Sequence, residues 1–355
     1  MKPASKPFVV PVFLPHSGCP HRCIYCDQTA ITATCDEPAG IMAPEKCRAQ
    51  IEQFLPYKKR DRGKTEIAFY GGNFLGLSPS TIHALLGTAQ AFIDSGHADG
   101  IRFSTRPDTI TPGSLAIIQN YSVATIELGI QSMDNTVLSL SRRGHTAADA
   151  KQAIQTLKAS GYGTGVQLMT HLPGDDGPQS LESARQVVTL KPDMARIYPT
   201  IVLSDSPLAR QYQQGKYQAA TLPAAVDLAK AVYLMFAENH IPVIRMGLQA
   251  SQSLEPSGRI VAGPYHPAFG FLVKSAIFFD MTSQALNHSA AISDPLSVRV
   301  HPASEAMVRG LRNTNLDRLK TTFDIQTIHI IKDDTVSTNG LICQNRGIIM
   351  EDLKY

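Results

Sequence analysis

The chain has 355 residues, 43% of them hydrophobic and 18% charged, with 25 glycines and 23 prolines spread along its length. That composition supplies a large apolar core and excludes collagen-like, low-complexity and extensively disordered chains, while 33 basic against 30 acidic residues leave +3, too little to argue by itself for nucleic acid or an anionic membrane. Six cysteines are too few for a disulfide scaffold and no apolar run reaches the roughly 18 residues of a membrane span, so a reducing cytoplasm is the expected compartment.

Along the chain, apolar runs rich in branched residues recur, each followed by a segment of helical period. Strands are predicted at Phe8 to Leu14, Glu66 to Tyr70, Gly100 to Ser104, Val123 to Gly129, Gly163 to Met169 and Met194 to Val202. Helix starts are marked by Ser78-Pro79 and Thr111-Pro112, each a capping hydroxyl before a first-turn proline, and by Thr146 with Asp149, a capping-box pair. A further helix is predicted from Thr221 to Asn239, burying Leu228, Ala229, Val232, Tyr233 and Phe236. Strand-then-helix units in succession predict an α/β fold with a parallel sheet, either a partial barrel or a doubly wound open sheet; periodicity does not separate the two. In both, the loops after the strand C-termini carry the chemistry.

The rhythm changes near residue 250. Pro264-Tyr265-His266-Pro267 is rigid, two helical stretches precede a predicted strand at Ile325 to Ile331, and Asn339-Gly340 turns into Leu341-Ile342. The expected organisation is a barrel over residues 1–250 and a small α+β annex over residues 251–355.

Directly after the first predicted strand comes Gly18-Cys19-Pro20-His21-Arg22-Cys23-Ile24-Tyr25-Cys26. Three thiolates on one short loop hold three corners of an iron-sulfur cubane and leave one iron open for a substrate or cofactor. The spacing also suits a structural zinc with His16 or His21 as fourth ligand. Gly71 and Gly72, after the second strand, let backbone approach a ligand closely, although an ordinary tight turn uses glycines too. Cys47 falls on a helical face with Ile51, Phe54 and Leu55 and reads as a buried structural thiol; Cys35 is a candidate redox or auxiliary ligand.

The segment Pro15 to Cys26 resembles the signature loop of the radical S-adenosylmethionine (SAM) superfamily, CxxxCxxC with an aromatic before the last cysteine. The resemblance implies that Cys19, Cys23 and Cys26 hold a [4Fe-4S] cluster whose open iron chelates SAM, with Tyr25 near the adenine. Tyr70-Gly71-Gly72-Asn73 is similar to the family's GGE turn, whose main chain receives the SAM amino group; here Asn73 replaces Glu. Ser104 to Asp108, Ile126 to Met133, Ser141 to Thr146 and Arg196 to Thr200 are similar to the radical SAM domain of the Elongator catalytic subunit, a tRNA wobble-uridine modifying enzyme. A more distant likeness is to oxygen-independent coproporphyrinogen oxidase, in which a Gln and an Arg at the spacing of Gln131 and Arg143 contact SAM. Gln167-Leu168-Met169-Thr170-His171-Leu172-Pro173-Gly174 resembles the segment that packs on the SAM ribose and adenine, with Gln167 and Gly174 as the matching contacts and His171 at the family's first glycine. The resemblance spans residues 8 to 250.

By this resemblance the fold is a partial (β/α)6 barrel, the cofactors are a [4Fe-4S] cluster and SAM, and the activity is reductive cleavage of SAM to a 5′-deoxyadenosyl radical that abstracts hydrogen from a substrate. A flavodoxin or ferredoxin type reductant is implied, and so is tRNA as a partner. In the annex, a helix, the loop Gly310-Leu311-Arg312-Asn313, a second helix and a strand resemble KH-type RNA modules, though the loop has only one glycine. A small-molecule substrate, and a non-enzymatic metal-stabilised binding module, remain the alternatives. His266 is a candidate for the substrate mouth or a structural loop.

Overall fold

The computed structural model describes residues 7–20, 22–27, 42–58, 63–248, 258–289 and 291–353. Its centre is a seven-stranded, all-parallel sheet that curls into a partial barrel. The chain enters on β1 (Phe8–Phe13) and proceeds through α1 (Pro44–Phe54), β2 (Thr65–Tyr70), α2 (Pro79–Asp94), β3 (Gly100–Thr105), α3 (Pro112–Ile118) and β4 (Val123–Gln131). It continues through α4 (Asn135–Leu140), α5 (Ala147–Ala159), β5 (Gly163–Thr170), α6 (Pro178–Leu190) and β6 (Met194–Pro199). Hydroxyls of Ser78, Thr111 and Thr146 cap α2, α3 and α5, as their sequence signals require.

The last predicted strand splits. Pro199, with no N–H to donate, ends β6, and Val202–Leu203 (β7) leaves the barrel. After α7 (Pro207–Gln213) and α8 (Leu222–Glu238), a strand absent from the sequence expectation, β8 (Val243–Met246), closes the sheet beside β6. It is four residues long and carries Arg245, too short and too polar to stand out by pattern. β9 (Ile260–Ala262) pairs antiparallel with β7.

Alternation along the strands sorts the side chains. Ile67, Phe69, Ile101, Phe103, Ile126, Leu128, Val166, Leu168, Ala195 and Ile197 are buried in the apolar cluster against the helices. The intervening residues Glu66, Tyr70, Arg102, Glu127, Arg196 and Tyr198 occupy the other face of the strands, the barrel interior, and bond to one another. Glu127 Oε1 accepts from Arg102 Nη1 at 3.1 Å, from Arg196 Nη2 at 2.8 Å and from the Tyr70 hydroxyl at 2.9 Å. Glu66 holds the other side of Arg102 at 2.6 Å, so two carboxylates stand against these two guanidiniums.

Beyond the barrel, α9 (Phe269–Asn287) packs on α8 and carries α10 (Glu305–Arg309), α11 (Thr314–Phe323) and a mixed sheet. That sheet has the order β11-β10-β12-β13, from β10 (Leu296–Val300), β11 (Ile328–Lys332), β12 (Gly340–Cys343) and β13 (Arg346–Ile349). Val298, Leu341 and Cys343 belong to the same continuous apolar cluster as the barrel helices. The turn expected at Asn339-Gly340 is present, with Gly340 N–H donating to Ser337 O at 3.0 Å as the chain enters β12, and a second reversal follows at Gln344-Asn345, where both residues take the positive φ of a tight hairpin turn, 54° and 60°. At Gly310 a Cβ would stand 2.8 Å from Asn315 N and 2.8 Å from Thr314 Oγ1, so the start of α11 itself requires the glycine.

Candidate active site

The cysteine loop continues β1. Leu14 N–H donates to Tyr70 O at 2.7 Å, extending the parallel ladder one step, and the chain then turns through Ser17 to Cys19. Cys19, Cys23 and Cys26 are free thiols. Burial, and then the neighbouring thiols, push Cys19 and Cys26 above the ordinary thiol range. Three soft donors close enough to oppose one another's ionisation form a set that a strongly positive, thiophilic centre would relieve. Among the described residues, no three His, Cys, Asp or Glu side chains converge on a single metal ion. His21 and Cys35 lie outside the described residues.

Gly72 and Asn73 hold that loop. A Cβ on residue 72 would come within 2.3 Å of Ser17 O and 2.7 Å of Leu14 O, so what approaches the glycine is the backbone of the cysteine loop. Gly71, at φ 101°, accepts from His16 N–H at 3.2 Å. The Asn73 side chain is 1% exposed, and its Nδ2 donates to Gly18 O at 2.9 Å. Its Oδ1 accepts from Thr105 Oγ1 at 2.7 Å and from Arg106 N at 3.0 Å. An amide provides both the donor and the acceptor this joint uses; a carboxylate provides only the acceptor. On the far side, Leu208 N–H at the start of α7 donates to Ile24 O at 2.8 Å, and Ile24 packs with Val202, Leu208 and Tyr217.

Arg143 reaches the thiols from the loop between α4 and α5. At 7% exposure it is not a solvated surface cation. Its Nη1 donates to Cys23 Sγ at 3.0 Å and to Tyr25 Oη at 3.2 Å, and Nη2 donates to Gly129 O at 2.5 Å. Gln131 sits at a bulge of β4 with φ 72°, and its Oε1 accepts from Gln167 Nε2 at 3.1 Å. The structure thus gathers Cys23, Tyr25, Arg143 and Gly129, joins Gln131 to Gln167 beside them, and ties Asn73 to the loop through Gly18. Gly174 instead lines a cleft of about 820 Å³ with Leu140, His171 and Tyr217, and none of Cys19, Cys23 and Cys26 is among its walls. Cys47 and Cys343 are buried, and burial pushes their thiols up to about 12 and about 11. His266 lies in the turn before α9, its Nδ1 accepting from Ala268 N–H at 3.0 Å.

Two groups escaped the sequence reading. His145 is 5% exposed, its Nε2 bonded to Ile130 O at 3.2 Å, which sets the proton on Nε2 because a carbonyl only accepts. Burial, then Arg143 and Arg106, lower its pKa to about 4. The polar barrel floor was the second; its signal was a charge at alternate positions inside otherwise apolar strands, Glu66, Arg102, Glu127 and Arg196.

Comparison with known proteins fits this geometry. The profile of the Radical SAM superfamily matches residues 13–185, and that of the Radical_SAM C-terminal domain matches residues 192–278. The chain is 25% identical over 255 residues to a tRNA uridine(34) acetyltransferase of Methanocaldococcus jannaschii, covering 62% of this chain and 47% of that protein. It is 26% identical over 273 residues to Elongator complex protein 3 of Saccharomyces cerevisiae, covering 65% of this chain and 49% of the relative. It therefore spans about half the length of these curated relatives. The solved structure of the archaeal Methanocaldococcus infernus Elp3 with an N-terminal deletion shares the fold, with a TM-score of 0.58 at 21% identity over 78% of this chain and 63% of that one. No helix among the described residues is long and apolar enough to cross a membrane. The chain belongs to the radical SAM superfamily of enzymes, whose cofactors are a [4Fe-4S] cluster and S-adenosylmethionine, and within it resembles the Elongator catalytic subunit.

Proposed function

We propose that this chain is a radical SAM enzyme acting on a uridine of tRNA. The observation that carries the reading is the set of three free thiols on one loop, anchored by Asn73 and by the Arg143 guanidinium at Cys23. Cys19, Cys23 and Cys26 would hold the cluster, and when bound the cluster and SAM supply a one-electron cleavage that yields the 5′-deoxyadenosyl radical. The main chain at Gly71 and Gly72, the Arg143 and Gln131 side chains, and Tyr25, Gln167 and Gly174 are the proposed SAM contacts. Arg143 carries the charge that a SAM carboxylate needs, in a buried setting where such a contact is strong. Tyr70, Arg196 and Tyr198 are bonded to one another in the barrel interior and would limit the access of bulk water to a bound substrate. The names of the relatives, which specify a tRNA uridine, supply the substrate class.

The test is anaerobic incubation of the reconstituted protein with SAM and dithionite, with and without bulk tRNA. Formation of 5′-deoxyadenosine by the native protein, its loss together with cluster absorption in Cys23→Ala, and stimulation by tRNA are expected. Full cluster content in Cys23→Ala overturns the ligand set; 5′-deoxyadenosine formation indifferent to tRNA turns the substrate to a small molecule.

A further inference from the structure

We propose that a cavity beside the cysteine loop, walled by Arg22, Arg142, Gly144 and Pro207, is a phosphate site that holds the backbone of the substrate RNA. The proposal deepens the tRNA reading given above and rests on it for the source of the phosphate.

The cavity is open and measures about 460 Å³. Its two arginines are the exposed neighbours of two buried residues that touch each other. Arg22 precedes Cys23, Arg142 precedes Arg143, and the Cys23 Sγ to Arg143 Nη1 contact is 3.0 Å. Each arginine therefore stands one residue, about 3.8 Å of chain, from the heart of the candidate active site. Arg142 adopts φ 52°, a left-handed conformation uncommon outside glycine, and alternates with its neighbour: Arg143 is buried against the thiol while Arg142 is exposed on the cavity wall.

Among the described residues the walls contain no carboxylate and neither guanidinium takes part in an ion pair. This contrasts with the barrel floor, where Arg102 and Arg196 are paired with Glu66 and Glu127. Planar guanidiniums present paired N–H donors that match phosphate oxygens, and two of them unneutralised on one wall select an anion. With a net charge of only +3 the chain attracts RNA weakly as a whole, so phosphate recognition has to be local. A phosphodiester held here places its nucleoside within reach of the barrel mouth.

The experiment measures tRNA binding against salt for the reconstituted native protein, Arg142→Gln and the double variant Arg22→Gln/Arg142→Gln. Arg185→Gln, on the outer helix α6 and paired with Glu182 at 3.3 Å, is the control. Each removed phosphate contact should make the slope of log K against log salt shallower by roughly 0.7 to 0.9 and weaken binding about tenfold, with the control unchanged. Iron and sulfide content show that the cysteine loop is intact; if the double variant loses its cluster, Arg142→Gln, which leaves that loop untouched, decides. A second arm measures uridine 5′-monophosphate and inorganic phosphate on the same proteins. If tRNA does not bind but uridine 5′-monophosphate binds the native protein and not Arg142→Gln, the phosphate site stands and the tRNA reading fails. If tRNA binds native and variants with the same slope, the site is wrong and the tRNA reading survives. No binding of either ligand that depends on these arginines overturns the proposal.

Discussion

Arg143 shows how little a local motif reveals about a residue's surroundings. Its position in a Ser-Arg-Arg-Gly run suits a solvated helix entry as well as a binding site, yet the fold buries it against a thiol, a phenol and a carbonyl while its neighbour Arg142 is exposed. If the SAM carboxylate pairs with Arg143, Arg143→Ala should weaken SAM binding by ~2 kcal/mol, roughly thirtyfold, and Arg142→Ala should leave it unchanged, as read by equilibrium binding to the reconstituted protein. Equal, small effects would return Arg143 to a purely structural role. His145 makes a prediction in pH. Its pKa drops from 6.5 to about 4 in the fold, so below pH 6.5 the unfolded chain binds a proton that the folded chain refuses. Stability should fall as pH drops from 6.5 to 4, by about 3 kcal/mol in total, and then level off. Urea unfolding across that window is the measurement. His145→Gln, which keeps a donor for Ile130 O, should flatten the profile.

Among elements, the turn after β2 and the loop after β1 form one unit. The two glycines suggested a ligand cradle from their position alone; Gly72 turns out to accommodate the cysteine loop, and Asn73 bridges that loop to the end of β3. Asn73→Asp keeps the size but replaces the donor facing Gly18 O with a second acceptor, and should cost about 1 to 3 kcal/mol. The expected outcome is a lower thermal midpoint and faster loss of iron to a chelator, whereas Thr109→Ala, at the rim of the same network, should do much less. An Asn73→Asp protein that keeps native iron retention would show the joint to be dispensable. Gly310 carries the same lesson: the sequence shows that a backbone approach is needed there, and the packing shows that the approaching group is α11. Gly310→Asp would therefore disrupt the annex instead of reporting on RNA.

At the scale of the molecule, the barrel has an apolar exterior under its helices and a charged floor in which Glu66 and Glu127 pair with Arg102 and Arg196. Glu127 is the hinge of that floor, and Glu127→Gln would leave Arg102 and Arg196 with reduced counter-charge inside the barrel. Breaking such a buried set from one side should destabilise the fold by roughly 3 kcal/mol, seen as a lower urea midpoint with unchanged slope; a native midpoint would show that solvent already screens the interior. The parallel α/β order, the helix starts and the cysteine triplet were determined by the sequence itself, because capping, periodicity and ligand spacing are short-range properties. The tertiary structure alone decided which charges face inward, since a period of two sorts side chains into faces without saying which face is covered. It also decided the eighth strand, stabilised by its pairing with β6 and not by its own composition, and the hairpin at Gln344-Asn345, which the pairing of β12 with β13 sets and no glycine marks. The surroundings of Arg143 belong with these, because Cys23 lies 120 residues earlier and only the closing of the sheet brings the two within hydrogen-bonding distance.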